Sequence, residues 1–183
     1  PMAKVKGPLM SMEASGSYGS TLVFGRRLGS NVVRQLVKPS NPQTQGQMDA
    51  RNRVRVFGAL QKFVSGTALM LDGQTKTDKE LIAALTPAGQ RWNSYMQQVG
   101  IGSGGISYNA ARAAFATLTE LQKTAWNDAA RGLTPVILDV AQQDAGGVAA
   151  APVPAGEVFF IYVYALALMS LAETPTGTPP TYA

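Results

Sequence analysis

The stretch Ser20–Pro42, STLVFGRRLGSNVVRQLVKPSNP, decides the class of this fold. Ser20 to Phe24 and Asn31 to Val37 are runs of β-branched, aromatic and other strand-forming residues. Between them, Gly25-Arg26-Arg27-Leu28-Gly29-Ser30 carries two glycines that permit a tight reversal, so the spacing predicts a β-hairpin. Pro39 and Pro42 then end the second strand, because proline has no N–H for a ladder. A lone hairpin is marginally stable in water, so this one must pack on helices or add to a neighbour's sheet.

C-terminal to the hairpin the pattern turns helical. Asn41-Pro42 reads as a helix start, with Asn as N-cap and Pro where no N–H is needed, and the helix is expected from Pro42 to Ser65 with Gly66 closing it. On a 3.6-residue period Ala50, Val54, Phe57, Leu60 and Val64 form an apolar stripe, and Arg51, Arg55 and Lys62 share another face. Arg53 lies near the stripe and needs a carboxylate or must snorkel. Thr77-Asp78-Lys79-Glu80 has capping-box spacing and predicts a short helix to about Leu85. Thr86-Pro87 predicts a helix to Val99, Gly102-Ser103-Gly104-Gly105 a flexible turn, and Ser107 the cap of a helix through Leu118. Thr119-Glu120-Leu121-Gln122 is a second capping box, opening a helix that ends at Arg131-Gly132. The segments around Trp92 and Trp126 both contain Leu-Thr, a Gln and Trp-Asn, which fits a duplicated helical pair or convergent helix starts, and both indoles are expected as core anchors.

A short helix or strand is expected near Val136–Gln142, followed by an Ala/Gly/Pro linker. Val158–Leu171, VFFIYVYALALMSL, is ambiguous: its first half is strand-like, its second half helix-forming. It falls short of the ~20 residues that span a bilayer and reads as a buried element. Residues 1–19, rich in Gly, Ser, Pro and Met, read as an extended arm, and residues 173–183 as an extended, Pro-stiffened tail. The expected fold is therefore α+β and mostly α. It comprises an N-terminal β-hairpin, a bundle of about five helices and extended arms at both ends. One domain is expected over residues 20–172, with the hairpin at 20–38 and the mainly helical part at 42–172.

Composition excludes more chemistry than it suggests. With no His and no Cys among 183 residues, the chain lacks the usual general base, the Ser–His and Cys–His pairs and most transition-metal ligand sets. Asp78/Glu80 is explained as a helix cap, and Asp139/Asp144 lacks the paired geometry of glycosidase carboxylates. No nucleotide-binding or hydrolase fingerprint occurs. No catalytic residue, cofactor or metal is expected. Charged residues are 15%, below the ~25% of an average domain, so Ser, Thr, Gln, Asn and Gly cover much of the surface, as suits lasting protein contacts. The N-terminus lacks the apolar core of a secretion signal, so synthesis in a cytoplasm is expected.

Charge is unevenly distributed. Residues 1–62 hold ten basic against two acidic groups, a net +8, and the rest hold six against nine, a net −3. The N-terminal third therefore expects an acidic partner, and Arg26, Arg27, Arg34, Arg51, Arg55 and Lys62 are the candidate partner-binding residues. For Arg51, Arg55 and Lys62 a solvated face and a docking face both stay open. Phosphate, an acidic protein and a neighbouring copy's acidic half are all candidate partners. DNA is the less supported of these, because Tyr18 and Phe24 are the only aromatics near the hairpin arginines.

Lys4-Val5-Lys6-Gly7-Pro8-Leu9, Met12-Glu13-Ala14-Ser15-Gly16, Thr21-Leu22-Val23-Phe24, Asn31-Val32-Val33-Arg34 and Pro39-Ser40-Asn41-Pro42-Gln43-Thr44-Gln45-Gly46-Gln47, with the later Leu118-Thr119 to Trp126-Asn127 segment, resemble a group of tailed-bacteriophage and prophage proteins. The resemblance covers roughly residues 4–60 best and departs from the group's pattern at Arg27-Leu28 and in the C-terminal third. It implies a virion structural protein and supplies no catalytic residues. The expectation is an auxiliary decoration or cement protein, made in the host cytoplasm and carried in the virion. Its expected partners are the major capsid protein or other virion proteins, together with further copies of itself and no membrane. A neck or tail component and a basic DNA-binding module are the alternatives.

Overall fold

A computed structural model of the chain describes residues 16–18, 21–27, 30–37, 42–70, 74–170 and 174–182. The fold is α+β and mostly α, with five α-helices and two small antiparallel sheets among these residues. The chain divides into two compact units, Pro1–Pro42 and Gln43–Ala183, where the sequence suggested one domain over residues 20–172.

In the first unit the hairpin is longer than expected and gains a third strand. β1 (Gly16–Tyr18), β2 (Leu22–Arg27) and β3 (Ser30–Gln35) form a sheet in that order, with Tyr18 opposite Leu22, Phe24 opposite Val33 and Arg27 opposite Ser30. Gly25 to Arg27, expected in the loop, continue the ladder instead. Gly16–Tyr18, expected in the free arm, pairs with β2, which satisfies backbone groups a two-stranded hairpin would leave open on that side. The rest of the expected arm, residues 1–15 and 19, lies outside the described residues.

The second unit is built around α5 (Ala155–Ser170), which resolves the ambiguous apolar stretch as a helix. Phe159, Phe160, Ile161 and Tyr162 are consecutive and all buried, so the helix is apolar all round and is wrapped by neighbours rather than lying on a surface. α3 (Trp92–Ala116) and α4 (Glu120–Gly132) pack against it most extensively, and α1 (Gln45–Gly66) and α2 (Asp78–Leu85) complete the bundle. Trp126 is the anchor the sequence suggested: it is fully buried, edge-on to Phe159 and Phe160 at 5.3 and 4.9 Å. Trp92 is only half-buried. It is the first residue of α3, whereas Trp126 sits inside α4, so the two similar segments are not equivalent structures.

Both capping boxes form. Thr77 accepts from Glu80 N–H while its own N–H donates to Glu80 Oε2, and Thr119 and Gln122 repeat the exchange at α4. Three other boundaries move. α1 opens at Gln45 after Thr44 and not at Pro42, because Gln43 has φ +46 and its carbonyl accepts a hydrogen bond from Gly146; Asn41 itself lies outside the described residues. Thr86 ends α2, its hydroxyl donating back to Ile82 O, and the chain turns through Gly89 (φ +85) before α3 begins. The glycine-rich stretch 102–105 is not a turn between helices. α3 runs through it, and only Gly105 shows positive φ, at +75. Ser107, expected as a cap, donates its hydroxyl to Val99 O across this irregularity.

The buried face of α1 also differs. Phe57, Leu60 and Val64 are buried as expected, but Val54 is 49% exposed and the first half turns Met48, Asn52 and Val56 inward. The cause is β4 (Val140–Gln143), which pairs with β5 (Ala149–Val153) where a linker was expected. Asn52 donates from Nδ2 to Gln143 O at 2.9 Å and accepts from Gln143 N–H at 3.2 Å. The buried amide thus behaves like a short length of partner strand. Finally, the tail at 174–182 is extended but packed: Trp126 Nε1 donates to Thr176 O, and the Tyr182 ring lies 5.8 Å from Phe159.

Candidate interaction surfaces

The six candidate basic residues fall three in each unit. Arg26 and Arg27 end β2, opposite Asn31 and Ser30, and their side chains lie outside the described set. Arg34 stands opposite Val23 in β3 and is exposed. Arg51, Arg55 and Lys62 are all exposed on one side of α1, as the helical period requires. Arg55 is nevertheless held within the fold, with Nη1 donating to Asn52 Oδ1 and Nη2 to Gln143 Oε1 at 2.8 Å. Arg51 Nη1 contacts Met48 Sδ at 3.5 Å. Arg55 is thus largely a clamp on the β4–β5 hairpin, and the free basic character of this face rests more on Lys62.

Lys62 lines an apolar cleft of about 460 Å³ between α1 and Pro135–Ala141. Leu60, Phe63, Ile137 and Val158 form its walls, and Lys62 and Asp139 are its charged lining residues. Asp139 is tied to the fold through Oδ1, which accepts from the Ala155 N–H at the start of α5.

Arg53, singled out as a cation near the core, is half-buried beside Gly105; a Cβ there would stand 2.6 Å from Arg53 Cδ. Its Nε is buried without a hydrogen-bond partner, and the nearby buried Tyr108 hydroxyl interacts with Arg112 without completing a well-formed hydrogen bond. The carboxylate that Arg53 was expected to need goes elsewhere. Glu157, nearly buried in α5, bonds Arg112 Nε. Burial disfavours the Arg112 cation, but the Glu157 hydrogen bond and charge outweigh it and hold its pKa above the ordinary value. Sequence reasoning missed this pair, whose members are 45 residues apart and have no local pattern.

It also missed Asp78. Glu80 is the exposed cap residue expected, its pKa lowered by the Thr77 backbone N–H. Asp78, two positions earlier, is only 2% exposed and accepts from the Tyr162 hydroxyl at 2.5 Å. Burial pushes the Asp78 carboxyl up, and burial with the Asp78 charge pushes the Tyr162 and Tyr182 phenols up. Asp78 Oδ1 and the Tyr182 hydroxyl interact electrostatically, but neither completes a well-formed hydrogen bond.

Among the described residues no group of acidic side chains is placed to hold a metal ion, and no helix is long and apolar enough to cross a membrane. Candidate interaction surfaces include the N-terminal sheet and the α1 face with its cleft. Comparison with protein-family models, curated proteins and solved structures finds no match for this chain.

Proposed function

We propose that the chain is a structural subunit of a tailed-phage virion, an auxiliary protein that binds the capsid and reinforces it through protein contacts. The open N-terminal sheet carries this reading. A sheet ordinarily buries one face against another layer, yet among the residues of this unit whose side chains are described Phe24 alone is a buried hydrophobic. Leu22, Val32, Val33 and Val37 are 37%, 38%, 53% and 75% exposed. Among the described residues β3 is also an edge strand, with one side unpaired in the sheet. Three short strands with so little burial gain stability from a partner surface, and strand addition or face docking would supply it. Residues 1–42 hold six basic groups against one acidic, a net +5, so an acidic protein surface is the matching partner. The sequence resemblance directs that partner toward the virion.

The test is the copy number of this chain in purified particles after a high-salt wash, by quantitative mass spectrometry against the major capsid protein. A count comparable with the capsid protein is expected for a decoration role. A small, ring-sized count would move the protein to the neck or tail and overturn the decoration assignment, and absence from washed particles would overturn the virion reading altogether.

A further inference from the structure

The apolar cleft beside α1 has a volume of about 460 Å³, within the range of clefts that hold ligands. Phe63 in its wall is buried, while Val136 and Leu138, which also line it, are 45% and 71% exposed. Single exposed apolar side chains are ordinary. Two of them on one wall of an apolar cleft leave a larger apolar surface open to solvent. The backbone of that wall is open as well. Residues 136–139 lead directly into β4 but lie beyond its ladder, since β5 ends opposite Val140. Ile137, between its two exposed neighbours, is buried, and its N–H donates to Ala130 O in the last turn of α4. Exposed, buried, exposed is the alternation of an extended chain. The backbone groups of Val136 and Leu138 make no hydrogen bond among the described residues. A short length of strand edge therefore stands unpaired at the cleft.

The charge at the cleft is positive on balance. Lys62 makes no ion pair or hydrogen bond among the described residues. Asp139, the other charged group of the lining, accepts through Oδ1 from the N–H of Ala155, the first residue of α5, where the positive end of the helix dipole offsets its charge. Lys62 also shares the exposed side of α1 with Arg51 and Arg55, so the cleft opens beside a basic face.

We propose that this cleft receives an extended, acidic peptide segment of a partner protein, with apolar side chains between α1 and residues 135–141, backbone paired to Val136 and Leu138, and a carboxylate at Lys62. Each property of the occupant answers one property of the site. The apolar lining selects apolar side chains, the unpaired strand edge selects a polypeptide backbone, and the unpaired cation selects a carboxylate. A fatty carboxylate would satisfy the lining and Lys62 but would leave the backbone of Val136 and Leu138 unpaired in a cleft it had dried, which is why a peptide is favoured. The cleft lies wholly within residues 43–183, apart from the N-terminal sheet, so its failure would leave the capsid reading untouched.

The test pans the full-length protein against a yeast-displayed library of linear random peptides, then titrates the selected peptides by calorimetry against the parent, Lys62→Met and Leu138→Ser. Both substituted side chains are exposed, so the variants should keep the fold, which thermal unfolding checks. Selected peptides are expected to carry apolar residues at alternate positions with an Asp or Glu beside them, and to slow hydrogen exchange at the Leu138 amide. Lys62→Met should weaken binding by about two- to fivefold, the worth of one exposed ion pair. Leu138→Ser should weaken it by about tenfold or more, because an apolar side chain is no longer buried by the ligand. No enriched sequence, a preference for basic peptides, equal affinity for all three proteins, or no protection at Leu138 would each overturn the proposal. Dodecanoate binding that depends on Lys62, with no peptide bound, would overturn it in favour of a site for an anionic amphiphile.

Discussion

Replacing Gly100 by Ala tests whether α1 and α3 pack as described. Gly100 is buried in the interior of α3, and a Cβ built there would land inside the Phe57 ring, with Cδ1, the third-nearest ring atom, at 2.5 Å. Ordinary carbon contacts lie at ~3.5–4.0 Å, so the ring or the helix must move by more than about 1 Å. Phe57 is fully buried, which leaves it no open space to enter. Overpacking of this kind costs ~1–3 kcal/mol, and the size of the required shift puts the cost near the upper end. Ala is favoured over Gly in a helix interior by about 1 kcal/mol. The difference is a net destabilisation of about 2 kcal/mol, or a Tm lower by ~4–8 °C for a chain of this size. Urea and thermal unfolding, followed by the fluorescence of the buried Trp126, measure it directly. Adding Phe57→Leu should make the double variant less destabilised than the sum of the single ones by at least about 1 kcal/mol, because the two residues share one space. If Gly100→Ala is as stable as the parent or stabler, as helix propensity alone demands, or if the two changes are additive, the packing argument fails.

Two further perturbations probe the buried polar groups. Asn52→Ala removes both bonds to the Gln143 backbone and should cost about 1–3 kcal/mol; hydrogen exchange at the Gln143 amide should accelerate more than at Ile82 in the core, and equal acceleration at both would mean that Asn52 does not hold the hairpin. Asp78→Asn should alter the pH dependence of stability. A carboxyl whose folded pKa is raised binds its proton more tightly in the folded state, so the stability it contributes is full below its ordinary value of 3.8 and is lost as pH rises through the raised value. The Asn variant should therefore gain stability relative to the parent over that rise in pH, as read by thermal unfolding. A stability difference that does not change with pH would show that burial has not shifted Asp78.

Charge asymmetry was legible in the sequence, but its distribution in space was not. Arg51, Arg55 and Lys62 share a helix side by periodicity alone, whereas the grip of Arg55 on Gln143 links residues 88 apart. The division of the six basic residues between two units follows from contacts across the whole chain, not from any local pattern. Arg53 was recognisable as a cation in an apolar setting. That Glu157 pairs with Arg112 instead depends on how α3 meets α5.

What the sequence determined by itself is what acts over a few residues. Both capping boxes, the strand runs around the hairpin, the end of α4 at Gly132 and the mostly helical α+β class follow from side-chain to backbone bonds and periodicity within one or two turns. Only the tertiary structure decided the continuity of α3 through its glycines, where the close approach of Phe57 at Gly100 outweighs weak local helix propensity. It also made Val158–Ser170 a helix, since burial of the consecutive Val158 to Tyr162 on every side favours the element that satisfies its own backbone. The seating of the tail on Trp126 and Phe159 belongs to the same class, because a Pro-rich segment with no core of its own takes its place from the surface it meets.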